Sequence, residues 1–221
     1  MTTFRVIRTT LLFLLCPLLA QAQQVEPFHQ ALSIGVHGGV LASRFSFVPS
    51  VSQRIHIGNM AGLKIRYDVE RGASLQLEAN YLTSGWREKY DASGTSYTRD
   101  ITYIETPLLA HLYLGHPSAR IFVNAGPFIG YALSETSSVS GEANMSEKDL
   151  ARHALGIKSK FFWGLGGGPG LSVGLGAHHR LELEGRFVYG FGNIWSTERT
   201  EPYVQSSEIR FGGFLSYLFR F

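Results

Sequence analysis

Cysteine is all but missing from this 221-residue chain, and the single one, Cys16, lies in an N-terminal stretch with a signature of its own. Charge is sparse at 17%, and beyond residue 23 no apolar run has the length and composition of a membrane-crossing helix. Arg5 and Arg8 precede an apolar run from Leu11 to Leu19 that ends at Ala20-Gln21-Ala22. A basic start, a short apolar core and a small-x-small site are the layout of a secretory signal peptide, so residues 1–22 are expected to be removed on export. Lipid attachment at Cys16 is the alternative; the large Leu15 before it and Pro17 after it argue against that. Without Cys16 the mature chain has no cysteine, which excludes disulfides, thiolate zinc sites and cysteine nucleophiles. Removing Arg5 and Arg8 leaves 18 basic residues against 17 acidic ones, so a nucleic-acid partner is not expected. Disorder is excluded by 15 Phe, 10 Tyr and 3 Trp.

What fills the chain is alternation at period two, the mark of strands, whose side chains point to opposite faces in turn. Leu32, Ile34, Val36 and Val40 alternate with Ser33, Gly35, His37 and Gly39; Leu63, Ile65, Tyr67 and Val69 alternate with Lys64, Arg66, Asp68 and Glu70. Leu75, Leu77, Ala79 and Tyr81 stand against Gln76, Glu78 and Asn80; Leu181, Leu183, Phe187 and Tyr189 stand against Glu182, Glu184 and Arg186. Residues 101–114 are apolar on both faces; Ile104, Leu108, Leu112 and Leu114 are assigned to one, Tyr103, Glu105, His111 and Tyr113 to the other. Phe161 to Ala177 holds seven Gly and Pro169, a poor helix, yet reads cleanly as an apolar face backed by glycine. With 120–133 and 209–221 this makes eight strands.

Connections sort by length. Long polar stretches at 43–57, 84–100, 134–159 and 192–206 alternate with tight turns at 70–72, 115–118 and 176–179. Such asymmetry suits a transmembrane barrel with short periplasmic turns and long external loops, and an even strand number puts both termini on the short-turn side. The reading is therefore an all-β, eight-stranded antiparallel up-and-down transmembrane barrel spanning 31–221, preceded by the signal peptide 1–22 and a short periplasmic segment, 23–30. Periodicity alone does not say which face meets lipid. The glycine row favours apolar-out, since it leaves volume inside for Arg186 and Tyr103. Trp86, Tyr131, Trp163, Phe191, Trp195, Phe219 and Phe221 gather near strand ends, as interfacial girdles require. The final strand carries Tyr217, Phe219 and Phe221 on one face, similar to the signal by which outer-membrane barrels are taken up by the barrel-assembly machinery. Pro107, Pro127 and Pro169 remove ladder donors and are expected to sit at bulges or pairing gaps.

The stretch Tyr103-Ile104-Glu105-Thr106-Pro107-Leu108-Leu109-Ala110-His111-Leu112-Tyr113 resembles the "YLEIPLLLKY" strand of PorT-like outer-membrane β-barrel proteins, often labelled "porin family". Ala125-Gly126-Pro127-Phe128-Ile129-Gly130 and Arg186–Ile194 resemble its later signatures. His111 stands where that pattern has Lys, and Thr106 replaces an aliphatic residue. The resemblance implies an eight-stranded outer-membrane barrel but no one shared activity; some relatives assist protein secretion.

An eight-stranded barrel is just wide enough for its own side chains. Inward Lys64, Arg66 and Arg186 are expected to pair with Asp68, Glu78, Glu105, Glu182 and Glu184 and close the lumen as a structural network, with a narrow gated conduit as the alternative. His111 and Glu105, six residues apart on one face, are about 20 Å apart and cannot touch; the plain reading of His111 is a hydrogen-bonded lumen histidine. His116, His178 and His179 belong to solvated turns. Gly164–Pro169 lacks the last glycine of GxGxxG and any following Lys-Ser/Thr, so no phosphate loop is read there. No catalytic residue, metal or cofactor is expected. The expected function is a structural or binding role, through external loops, in contact with outer-membrane lipid; a partner at those loops is left unnamed. The alternatives are a barrel enzyme acting on lipid or peptide, or an accessory to a secretion machine. Residues 134–159 are free to bind a partner, to form a short helix around Lys148–Leu155, or to shield the barrel.

Overall fold

The computed structural model describes residues 28–91, 94–141, 145–195 and 203–221; the expected signal peptide lies outside them. Period-two alternation forms strands throughout: β1 (Leu32–Val48), a two-residue β2 (Gln53–Arg54), β3 (His56–Glu70), β4 (Ala73–Glu88), β5 (Ser96–His116), β6 (Ala119–Ser140), β7 (Phe161–Leu175), β8 (His179–Asn193) and β9 (Gln205–Arg220). Among the described residues a helix, α1 (Glu147–His153), sits between β6 and β7. Every long strand pairs antiparallel with its sequence neighbour, β9 returns to β1, and β4–β5 pairing completes the ring, so eight strands close into a barrel. Closure removes the open edge that an apolar sheet would otherwise offer to aggregation. β2 adds only a short pair to the end of β4, Gln53 against Glu88. Gly72 and Gly176 take φ of 85° in two of the tight turns, a conformation that favours glycine.

The apolar faces point outward. Ile34, Val36, Val40, Leu63, Ile65, Leu75, Leu77, Ile104, Leu108, Leu112, Ile121, Leu171, Leu183 and Leu215 are all exposed, while their polar alternates are buried. Residues 101–114 face as expected, with Tyr103, Glu105 and His111 inside. In water this surface would be untenable; in a bilayer it is the solvent-matched face.

The strands run further than the alternation suggested. β1 continues to Val48 and β4 to Glu88, and β5 begins at Ser96, all within stretches expected to be loops. Sixteen residues tilted near 40° rise about 40 Å, well past the apolar band of about 25 Å. The excess lies at the long-connection end, where outward positions turn polar at Arg44, Arg87 and Glu135.

Each awkward proline coincides with a gap in one ladder. The β4–β5 register skips the position of Pro107, the β5–β6 register that of Pro127 and the β7–β8 register that of Pro169, while each proline pairs normally on its other side. A missing N–H is thus confined to one seam at a time. The inward glycines of β7 do leave volume, but for Phe122, Phe128 and Val188 rather than for Arg186 and Tyr103: a Cβ at Gly170 would strike the Phe122 ring, and one at Gly166 would lie 2.9 Å from both Phe128 and Val188.

Candidate functional site

Inward side chains fill the barrel in two tiers. The tier nearer the short turns is ionic. Two arginines anchor it because a guanidinium offers five donors in a fork that matches carboxylates. Arg66 donates to both oxygens of Glu182 at 2.6 Å and to Gln76 Oε1 at 2.5 and 2.8 Å. Arg186 donates to both oxygens of Glu78 at 2.8 Å and to Glu184 at 2.7 and 3.0 Å. Gln76 and Asn80 each donate to Glu78, and Lys64 donates to Ser216 at 2.9 Å while lying 3.9 Å from Glu78. Lys64 is 1% exposed, a burial tolerated only because acceptors surround it.

The structure thus brings together Lys64, Arg66, Glu78, Glu182, Glu184 and Arg186. Asp68 stands apart at the short-turn rim, accepting from Ser74 at 2.7 Å and lying 3.4 Å from Arg220. Glu105 pairs instead with Arg210, a residue of β9 that also lies 3.6 Å from Glu208; Ser84 donates to Glu208. His111 is held by Asn124 of the neighbouring strand, 2.8 Å from Nδ1, and does not reach Glu105. His37, from β1, donates to Asn80 at 2.7 Å beside Glu78.

Above Arg186 the lining changes character. Its guanidinium lies over the rings of Phe128 and Phe214, and Arg210 lies over Phe162, so cations join the ionic tier to an aromatic one. That upper tier packs Phe45, Phe47, Trp86, Tyr97, Trp195 and Tyr203 with ring centroids 4.7–6.4 Å apart. Trp86 and Trp195, expected in the interfacial girdle, are therefore core residues; the inward parity of Gln76, Glu78 and Asn80, continued up β4, reaches Trp86 directly. Tyr131, Trp163, Phe191 and Phe221 do face outward, as does Tyr217, while Phe219 is half-buried.

A polar lid closes the aromatic tier. Ser146 caps α1 through a capping box with Asp149. From the last turn, Arg152 donates to both Glu88 oxygens and, at 2.7 Å, to Asp149. His153 stacks on Tyr97 at 3.6 Å and lies 3.0 Å from Glu88, which also accepts from Tyr90 at 2.7 Å. Arg99 of β5 donates to the His153 and Leu155 carbonyls, satisfying acceptors left open where the helix ends. Burial raises the Glu88 carboxyl, but hydrogen bonds from His153, Arg152 and Tyr90 outweigh it and hold the group at about 2. Glu88, Arg99 and Arg152 escaped the sequence reading; an S-x-x-D box at Ser146 was the available signal for the helix.

One constellation invites a catalytic reading. Ser43, His56 and Asp100 stand in line: His56 Nε2 donates to Asp100 at 2.5 Å, and Nδ1 lies 3.4 Å from Ser43 Oγ. The hydroxyl, however, donates to the Gly85 carbonyl at 2.8 Å and accepts from the Gly85 amide, and Ser43 is 2% exposed. A nucleophile needs its proton aimed at the base and a face open to substrate, and Ser43 has neither. All three turn-side histidines are exposed: His116 ends β5, His178 lies in the turn and bonds the Arg220 carbonyl, and His179 opens β8 and bonds Tyr217. Among the described residues no three His, Cys, Asp or Glu side chains come together as a metal site.

No curated protein sequence matches the chain. Among solved structures it is similar to the outer membrane protein OprG from Pseudomonas aeruginosa, at 14% identity and a TM-score of 0.50, covering 87% of this chain and 97% of that one. Neisserial surface protein A is similar at 12% identity, with a TM-score of 0.47 and coverage of 86% and 98%. The first of these likenesses speaks to fold alone. The family described as outer membrane protein beta-barrel domain matches residues 20–196. With its apolar face outward, its ring closed and its short turns at one end, the chain belongs to that outer-membrane β-barrel family and resides in the outer membrane.

Proposed function

We propose that this outer-membrane protein is a closed, non-catalytic barrel that works through its extracellular end, presenting a rigid surface to a partner or ligand. The observation that carries the reading is the continuous filling of the lumen, ion pairs below and aromatic rings above. Side chains such as Lys64, Gln76, Glu78, Trp86 and Tyr97 leave at most 1–2% of their surface open. A barrel of eight strands has no spare bore for a diffusion path. The lid adds the second support, because Arg152 fixes α1 against Glu88 and turns a surface connection into part of the wall. Within the family we place the chain with the PorT-like members on the Tyr103–Tyr113 strand, and outer-membrane lipid is its surrounding partner. Planar-bilayer recording tests the closed lumen: the purified protein gives no steady conductance, whereas steady ion currents overturn the proposal.

A second reading, hydrolysis of lipid or peptide, is favoured by the Ser43–His56–Asp100 alignment alone. A fluorophosphonate probe separates the two. Folded protein stays unlabelled on the first reading; labelling that disappears in Ser43→Ala establishes the second.

A further inference from the structure

Three arginines meet at the periplasmic mouth of the lumen with little charge to oppose them. Arg120 comes from the start of β6, Arg180 from the start of β8 and Arg220 from the end of β9, and all three line one void together with Arg66, Asp68 and Ser74. Arg66 is already matched by Glu182. Asp68 is shared between Ser74 and Arg220. Arg180 donates only to neutral oxygens, Ser172 Oγ at 2.9 Å and the Pro117 carbonyl at 2.8 Å. Arg120 lies 4.3 Å over the Tyr113 ring, and its Nε is buried with no hydrogen-bond partner. Among the described residues neither Arg120 nor Arg180 has a carboxylate within ion-pair distance. Arg180 feels the repulsive field of Arg120 most strongly, then the attraction of Glu182, which Arg66 already engages, and then the repulsion of Arg66 and Arg220.

Among the described residues every other buried guanidinium has a carboxylate within ion-pair distance, so the mouth stands out as an arrangement short of anionic oxygen. A buried unpaired donor and facing like charges are both costly, and an oxyanion relieves both at once. We propose that the periplasmic mouth is a phosphate-binding site formed by Arg120, Arg180 and Arg220. A tetrahedral phosphate presents oxygens in several directions, which suits guanidiniums arriving from three strands; a planar carboxylate addresses one fork at a time. The enclosed part of the void is about 20 Å³, space for a single water-sized atom. One phosphate oxygen enters it beside Arg120, and the rest of the group stays in the open mouth next to Arg220, which is 40% exposed. The phosphate comes either from a lipid headgroup of the inner leaflet or from a free periplasmic phosphomonoester, since the mouth lies at the level of both.

The test uses the intact protein in phosphatidylcholine nanodiscs, titrated with inorganic phosphate by calorimetry, and in a second arm compares its thermal stability with that in discs containing phosphatidic acid. Saturable phosphate binding, weakened by about ten- to a hundredfold in Arg120→Gln and Arg180→Gln, assigns the free anion. Stabilisation by phosphatidic acid that both variants lose, without binding of free phosphate, assigns the lipid headgroup. Heat-dependent gel mobility verifies folding, and Arg220→Gln, at the open side of the mouth, replaces any variant that fails to fold. Failure of both sources to bind, or binding that the variants leave unchanged, overturns the proposal.

Discussion

The lower and upper halves of this barrel share the same strands and the same inward parity, yet they are lined by opposite chemistry. Along β4 the inward positions run Gln76, Glu78, Asn80 and then Leu82, Trp86; the outward ones run Leu75, Leu77, Tyr81 and then Arg87. β1 does the same, with Ser33 and His37 giving way inside to Leu41, Phe45 and Phe47, and Val36 and Val40 giving way outside to Arg44. The inversion marks where the surroundings change from hydrocarbon to water. Inside the bilayer lipid takes the apolar face, and the interior is free to be polar if every group is satisfied. Above it the wall must be polar, so the interior becomes an ordinary aromatic core. Two solvents, one continuous sheet.

Substitutions in each half sharpen or break this contrast. The largest effect is expected from Glu78→Ala, which leaves Arg186 and Lys64 buried without their main counter-charge and lowers unfolding free energy in lipid by about 3–5 kcal/mol. An unchanged urea midpoint would mean that the ionic tier is not what holds the lower half. Next comes Trp86→Ala, at about 3 kcal/mol, because it empties the centre of the upper core. Here the diagnostic is locality: amide exchange speeds up in α1 and at the end of β4, while the amides of Gln76 and Glu78 keep their protection. Loss of protection at both levels would show that the tiers unfold as one. Leu183→Arg places a charge on the lipid face, between the levels of Tyr217 and Tyr189, and is expected to destabilise by about 2–4 kcal/mol in lipid.

The smallest effect concerns pH and the lid alone. Glu88 has a carboxyl held at about 2 against an ordinary 4.5, so its ionised form favours the folded lid. That contribution is complete above about 4.5 and drains away as pH falls toward 2, because the unfolded lid takes up the proton first. The protection factors of α1 residues 147–153, exchange rates divided into the intrinsic rate at each pH, should therefore fall between pH 6 and pH 3, and Glu88→Gln should abolish the dependence.

The inversion also explains what could be read from the sequence. Ring, strand number, facing and short turns followed from an apolar-out, polar-in alternation, and they were legible wherever that pattern held. Reading stopped at Ala42, Tyr81 and Ile101 because there the pattern changes sign, and a strand whose apolar residues switch faces looks like a loop. Trp86 and Trp195 were misplaced for the same reason: an aromatic near the expected end of a membrane strand reads as an interfacial anchor, whereas a few residues further out it reads as core. Glu105 shows another limit. It lies in a stretch apolar on both faces, where the inward facing had to be assigned, and its partner, Arg210, lies 105 positions away on a strand that becomes its neighbour in space only through barrel curvature. Pairings across the lumen, unlike those along one strand, have no signature in spacing.

The lid rewards one more thought. Arg152 touches Glu88 from β4, Tyr90 beyond it, Asp149 in its own helix and Tyr203 ahead of β9, so three separate connections converge on a single guanidinium. A substitution in any one of these connections is therefore felt by the other two. A designer grafting foreign peptides onto this scaffold would have to keep Arg152 and its acceptors as a fixed keystone.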